Sequence, residues 1–171
     1  MENKYKLQKY EVYNKFARVY NYKLNKKHLK RISLVTAGMV LTQMLIGNHG
    51  SFFLAAPSVT IASVETIRTF KKCKNYGKTY KEDSNCLDNI TNELILLGYD
   101  LKQDALQKAE YYDLGIIKFK DKYDNDYLFY EDDSLNYFIE NDSIRTKECT
   151  NYRQNVTEQV IKGVNKSKQD K

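Results

Sequence analysis

No residue between Arg31 and Glu65 carries a charge, in a chain where Asp, Glu, Lys and Arg together fill 29% of positions. An uncharged run of that length has three fates: a removed leader, a buried core, or lipid. A leader fits poorly. It would need a short basic start and a small-residue cleavage site, whereas 31 residues precede the run and its nearest small pair, Ala55-Ala56, is followed by Pro57.

The run divides at "GNHGS", where two glycines and an asparagine favour a turn over residues 47–51. Leu34, Val35, Met39, Val40, Leu41, Met44, Leu45 and Ile46 of the first arm do not fall on one stripe. A helix apolar all round sits at the centre of a large protein or in a membrane, and the remaining residues are too few and too polar to wrap it. Burial in an oligomer or insertion into a bilayer are the surviving readings. Each arm, about 15 to 17 residues at ~1.5 Å per residue, falls short of a hydrocarbon core of ~30 Å, so a re-entrant hairpin is a variant of the second. Thr36, Thr42, Gln43, Thr60 and Ser63 are polar residues suited to bonding across paired helices, and Gly38, Ala55, Ala56 and Ala62 permit close approach.

Charge supplies the orientation. Residues 1–31 hold ten Lys/Arg against two acids, residues 32–81 six against one, and residues 82–171 twelve against nineteen. Lys30 and Arg31 flank the first arm, and Arg68, Lys71 and Lys72 follow the second, so both ends of the hairpin are expected on the cytoplasmic side, with Gly47, Asn48, His49 and Gly50 at the far turn. The implied partner is a bilayer with anionic headgroups, beside a protein partner or a second copy of the chain. Nucleic acid is the rival reading for Lys interleaved with Tyr in residues 1–31, and packing on the acidic half is the bland one. Part of the Lys, Asn and Tyr excess reflects A/T-rich coding.

The domain map that follows has five parts. Residues 1–31 form a basic amphipathic helix, with Leu7, Tyr10, Tyr13, Phe16, Ala17, Tyr20 and Leu24 at helical spacing; residues 32–67 form the apolar hairpin. A basic linker covers 68–84, an acidic α+β domain 85–165, and a frayed tail 166–171. In the domain, Leu87, Ile90, Leu94, Ile95 and Leu97 predict a helix from Ser84 or Asn85 to Gly98, and Leu101, Ala105, Leu106 and Ala109 a second. "LGIIKFKD", "DYLFYED" and "LNYFIEN" predict a three-stranded antiparallel meander, with Leu135, Tyr137 and Ile139 on one face. A last helix is expected over 152–164. The fold class is therefore α+β, with a basic helix leading into an apolar hairpin that is read as membrane-inserted.

Chemistry is hard to place on these residues. No zinc-protease, dinucleotide, phosphate-loop or serine-hydrolase motif occurs. His28 and Cys73 could emerge near each other without an orienting third group. Asp121, Asp124, Asp126, Glu131, Asp132 and Asp133 cluster near turns but miss the spacing of a calcium loop. The three cysteines, Cys73, Cys86 and Cys149, form no C-x-x-C pair, which favours a reducing setting. No catalytic, cofactor or metal role is expected. The function read from the sequence is a small membrane-anchored accessory or scaffold protein presenting a cytoplasmic interaction domain; the alternative is a soluble nucleic-acid-binding or oligomeric protein with the hairpin as subunit interface.

Overall fold

Two aspartate-led turns reverse the chain inside the acidic half and thereby set its sheet. "DKYDN" (Asp121 to Asn125) and "DDSLN" (Asp132 to Asn136) are built alike. Asp121 accepts from the backbone N–H of Tyr123 at 2.7 Å and of Asn125 at 2.9 Å; Asp132 accepts from Ser134 at 3.0 Å and Asn136 at 2.8 Å. The amide of each closing asparagine donates back to the same aspartate. The fourth residue of each, Asp124 or Leu135, takes a positive φ. Side chains that bond the backbone two and four residues on stabilise such tight reversals.

The computed structural model describes residues 11–46, 49–112, 115–142 and 153–169. They form α1 (Glu11–Ile46), α2 (His49–Gly77), α3 (Tyr80–Leu96), β1 (Glu110–Tyr112), β2 (Ile116–Lys120), β3 (Asp126–Glu131), β4 (Tyr137–Asn141), β5 (Arg153–Asn155) and α4 (Thr157–Gln169). The protein is α+β. The sheet has five antiparallel strands in the order β1-β2-β3-β4-β5, so the three expected runs are its centre and two short edge strands extend it. Register places Ile117, Phe129 and Ile139 side by side on the buried face.

The chain divides into two units, residues 1–20 with 79–171, and residues 21–78. In the first, the buried face of the sheet meets Leu87, Ile90 and Leu94 of α3, Val160 of α4, and Val12, Phe16 and Val19 from the opening turns of α1. The helical period expected for residues 1–31 is present from Glu11 onward, residues 1–10 lying outside the described residues, but the stripe it buries in this unit lies against the α+β core. Arg18 clamps the same turns to α3: its Nε and Nη2 donate to the two oxygens of the buried Asp83 at 2.7 and 2.8 Å. Chain boundaries thus fall within helices: α1 runs unbroken through residue 31, and α2 and α3 between them occupy nearly all of the expected linker.

α3 begins at Tyr80, several residues before its apolar stripe, with Glu82 and Asp83 in the favourable first turn. It ends where expected. Gly98 takes φ +107°, its N–H bonds Ile95 O at 3.0 Å, and Tyr99 N–H reaches back to Leu94 O at 3.2 Å, a pair of bonds that glycine at this position permits. α3 and α4 cross so closely that a Cβ on Gly163 would lie 2.7 Å from the backbone of Ile90.

Three local expectations need correction. Leu101, Ala105, Leu106 and Ala109 are buried, but residues 103–107 form successive turns rather than a helix, because Leu101 is drawn into a bridge with Asp121. Leu135 sits in a turn at positive φ, not on the face of β4 with Tyr137 and Ile139. The last helix starts later and runs further, at Thr157–Gln169. Asn155 accepts from Thr157 N–H at 3.0 Å to open it, and β5 takes up residues 153–155.

Candidate functional site: an inside-out helical hairpin

In the unit of residues 21–78, burial follows one line along each helix. On α1 the half-buried positions include Tyr22, Asn25, Leu29, Ile32, Thr36 and Val40; on α2 they include Val59, Ala62, Thr66, Cys73 and Tyr76, with Thr69 fully buried among them. Steps of three and four residues mark the seam of two helices in contact. At the base, a Cβ on Gly77 would lie 3.2 Å from the ring of Tyr22, which sets the helices antiparallel and fixes their register. Counted one for one from that contact, Asn25 falls within one residue of Cys73, Leu29 of Thr69, Ile32 of Thr66 and Thr36 of Ala62, and Val40 falls level with Val59.

Small and hydroxyl-bearing residues share that seam with Leu29, Ile32, Val40 and Val59, while many of the large aliphatic residues face outward. Leu34 is 76% exposed, Leu45 86% and Ile61 70%, with Val35, Met39, Leu41, Val64, Ile67 and Phe70 exposed as well. A water-soluble pair of helices leaves fewer large aliphatic side chains on its outer face. Of the residues expected to bond across the pair, Thr36, Thr42 and Ser63 bond within their own helices instead. Thr36 donates to Ile32 O at 2.9 Å, Thr42 to Gly38 O at 2.8 Å, Ser63 to Val59 O at 2.8 Å and Thr66 to Ala62 O at 2.7 Å, each within its own helix. Such back-bonding hides the polar group of a Ser or Thr without a partner helix. Gly38 and Thr42 lie exposed, away from the seam. Among the described residues, no helix is long and apolar enough to cross a membrane.

The flanking cations Lys30, Arg31, Arg68, Lys71 and Lys72 are all exposed. In the hairpin register Arg31 stands level with Arg68, and Lys27 with Lys71 and Lys72. Of the expected turn, Gly47 and Asn48 lie outside the described residues, while His49 and Gly50 already belong to α2. His28 is exposed and Cys73 lies on the seam, so the two occupy different surfaces of the hairpin.

The α+β unit holds the polar groups whose environment is unusual. Glu131, at the end of β3, is 8% exposed and accepts from the Tyr137 hydroxyl at 3.3 Å through Oε1, while its buried Oε2 has no hydrogen-bond partner. Burial pushes its pKa up to about 7, against the opposing pull of the Tyr13 backbone N–H and the Tyr137 hydroxyl. Burial, then the neighbouring Glu131, likewise raises the Tyr137 phenol. Neither signal is visible in the alternation of β3, which marks Glu131 only as the last residue of a strand. A shallow cavity of about 240 Å³ is lined by Lys102, Lys108, Lys118 and Lys120 together with Glu110, Asp124 and Asp126. Lys118 is held between Asp142 and Asp126 at 3.2 and 3.3 Å, and those bonds, Asp142 first, raise its pKa. Cys86 is buried beside Ser167, and burial raises its thiol, which leaves it a poor nucleophile. Among the described residues no group of three His, Cys, Asp or Glu is arranged to hold a metal ion. Of the acids near the hairpin turns, Asp121 and Asp132 build them, while Asp124 and Asp126 meet Lys102 and Lys118.

No family model, curated protein or solved structure matches this chain.

Proposed function

We propose that this chain is a membrane-anchored accessory or scaffold protein: the hairpin of residues 21–78 enters a bilayer and the α+β unit presents an interaction surface on the aqueous, cytoplasmic side, without a catalytic role. One observation carries the reading, the placement of Leu34, Leu41, Leu45, Ile61 and Ile67 outward and of Thr36, Ala62, Thr66 and Thr69 inward. Exposed aliphatic surface on that scale costs roughly 25 cal/mol per Å² in water, and lipid removes the cost. Because no described helix is long and apolar enough to cross, the reading is of a re-entrant hairpin, with both chain ends on one side.

The same exposed face also suits a subunit interface in a soluble oligomer, a reading favoured by the shortness of the arms. Fractionation separates the two. A membrane anchor stays in the pellet through high salt and alkaline carbonate and is released by detergent. Recovery in the high-salt soluble fraction as a defined oligomer would overturn the anchor and leave the interface.

A further inference from the structure

Eight cations stand within two turns of one another at the base of the hairpin: Lys26, Lys27, Lys30 and Arg31 on α1, and Arg68, Lys71, Lys72 and Lys74 on α2. All eight are exposed, and among the described residues none is in an ion pair. Most of the described lysines of the α+β unit behave differently. Lys102, Lys108, Lys118, Lys122, Lys162 and Lys166 each meet a carboxylate. The hairpin unit cannot neutralise itself, since Glu65 is its only acid. Eight like charges at one level repel each other, and an external anionic surface relieves that repulsion.

What kind of surface is decided by how the charge is sorted. A helix that binds another protein sorts its residues by face, and one that lies along nucleic acid carries a basic stripe down its length. This hairpin sorts them by height. Charge stops at Arg31 on one helix and at Arg68, its level partner, on the other; above that line Ile32 and Ile67 begin two arms bearing Glu65 alone. A plane of demarcation shared by two antiparallel helices is the imprint of a layered medium, phosphate below and hydrocarbon above.

We infer that the eight cations form a belt that binds the headgroup phosphates of anionic phospholipid in one leaflet, and that this belt halts the hairpin with its apex inside the bilayer. From Arg31 to Ile46 the helix rises about 23 Å at ~1.5 Å per residue, short of the ~30 Å hydrocarbon core. The inference rests on the anchor reading above and specifies its lipid class and depth.

The chain contains no tryptophan, so Leu34→Trp and Leu45→Trp each install a unique fluorophore, one just above the belt and one near the apex. Full-length protein is floated with vesicles of phosphatidylcholine alone or mixed in equal parts with phosphatidylglycerol. At about 1 kcal/mol per cation, the fourfold neutralisation K27Q/R31Q/R68Q/K72Q lowers partitioning onto the anionic vesicles by about two to three orders of magnitude. These positions are exposed, and circular dichroism checks that the variant folds. In bound protein, lipids brominated near the headgroup quench the tryptophan at 34, lipids brominated near the chain ends quench the one at 45, and a quencher trapped in the vesicle lumen reaches neither. Equal binding of the parent to both vesicle types, or an unaffected fourfold variant, overturns the belt while leaving the anchor reading intact. Quenching from the lumen at position 45 overturns the depth. Failure to bind any vesicle, with retention on duplex DNA or as a soluble oligomer, overturns both inference and anchor.

Discussion

Glu131→Gln is expected to stabilise the α+β unit, and by an amount that depends on pH. In the folded chain the carboxyl sits at the end of β3 with one oxygen unpartnered, and burial raises its pKa from 4.5 to about 7. Between those values the folded protein keeps a proton that the unfolded chain has already released. Each step up in pH therefore favours unfolding, and stability falls across that window before levelling off above it. A difference of about 2.5 pKa units at 1.36 kcal/mol each amounts to about 3 kcal/mol. Glutamine has the shape of the protonated acid and cannot ionise, so the variant keeps through neutral pH the stability that the parent loses. Urea unfolding followed by tyrosine fluorescence, at steps from about pH 4 to about pH 8, measures the difference, and titrations elsewhere in the chain cancel between the two proteins. The two should be alike at the acid end and about 3 kcal/mol apart at the alkaline end. Curves that run parallel, or a parent whose stability rises relative to the variant with pH, would refute the placement of a buried, poorly solvated carboxyl.

Gly163→Ala brings a methyl to 2.7 Å from the backbone of Ile90, which cannot swing aside, so the α3–α4 crossing must open at a cost of about 3 kcal/mol, read as a fall in the thermal midpoint. Arg18→Ala leaves the buried carboxylate of Asp83 with only Lys15, at 3.9 Å, and a loss of about 2 kcal/mol is expected after allowing for the partial exposure of the guanidinium; a double-mutant cycle with Asp83→Asn isolates the pair. Phe16→Ala should destabilise the α+β unit by about 3 to 5 kcal/mol in chemical denaturation, whereas a helix end resting only on lipid would leave that unit unchanged.

Much of the fold was legible because the signals are local. The stop of α3 needed only Gly98, which alone tolerates the positive φ that closes a helix. The three central strands were legible from alternation and from Asp and Asn at their turns. β1 and β5 were not, since three residues carry too little pattern to separate a strand from a loop, and their pairing comes from neighbours already in place. Glu131 was legible as an acid near a turn, not as a buried one.

By itself the sequence determined where the charge lies, where the uncharged run begins and breaks, and which stretches take helical or alternating periods, because each depends on residues a few positions apart. Only the tertiary structure decided which way those periods point. It turned Val12, Phe16 and Val19 into the α+β core, because side chains from α3, α4 and the sheet converge there from distant parts of the chain. It also placed Thr36, Thr66 and Thr69 of the hairpin inward and Leu34, Leu41 and Leu45 outward. An all-round apolar helix has no preferred face of its own, and the seam is chosen by packing against a second helix.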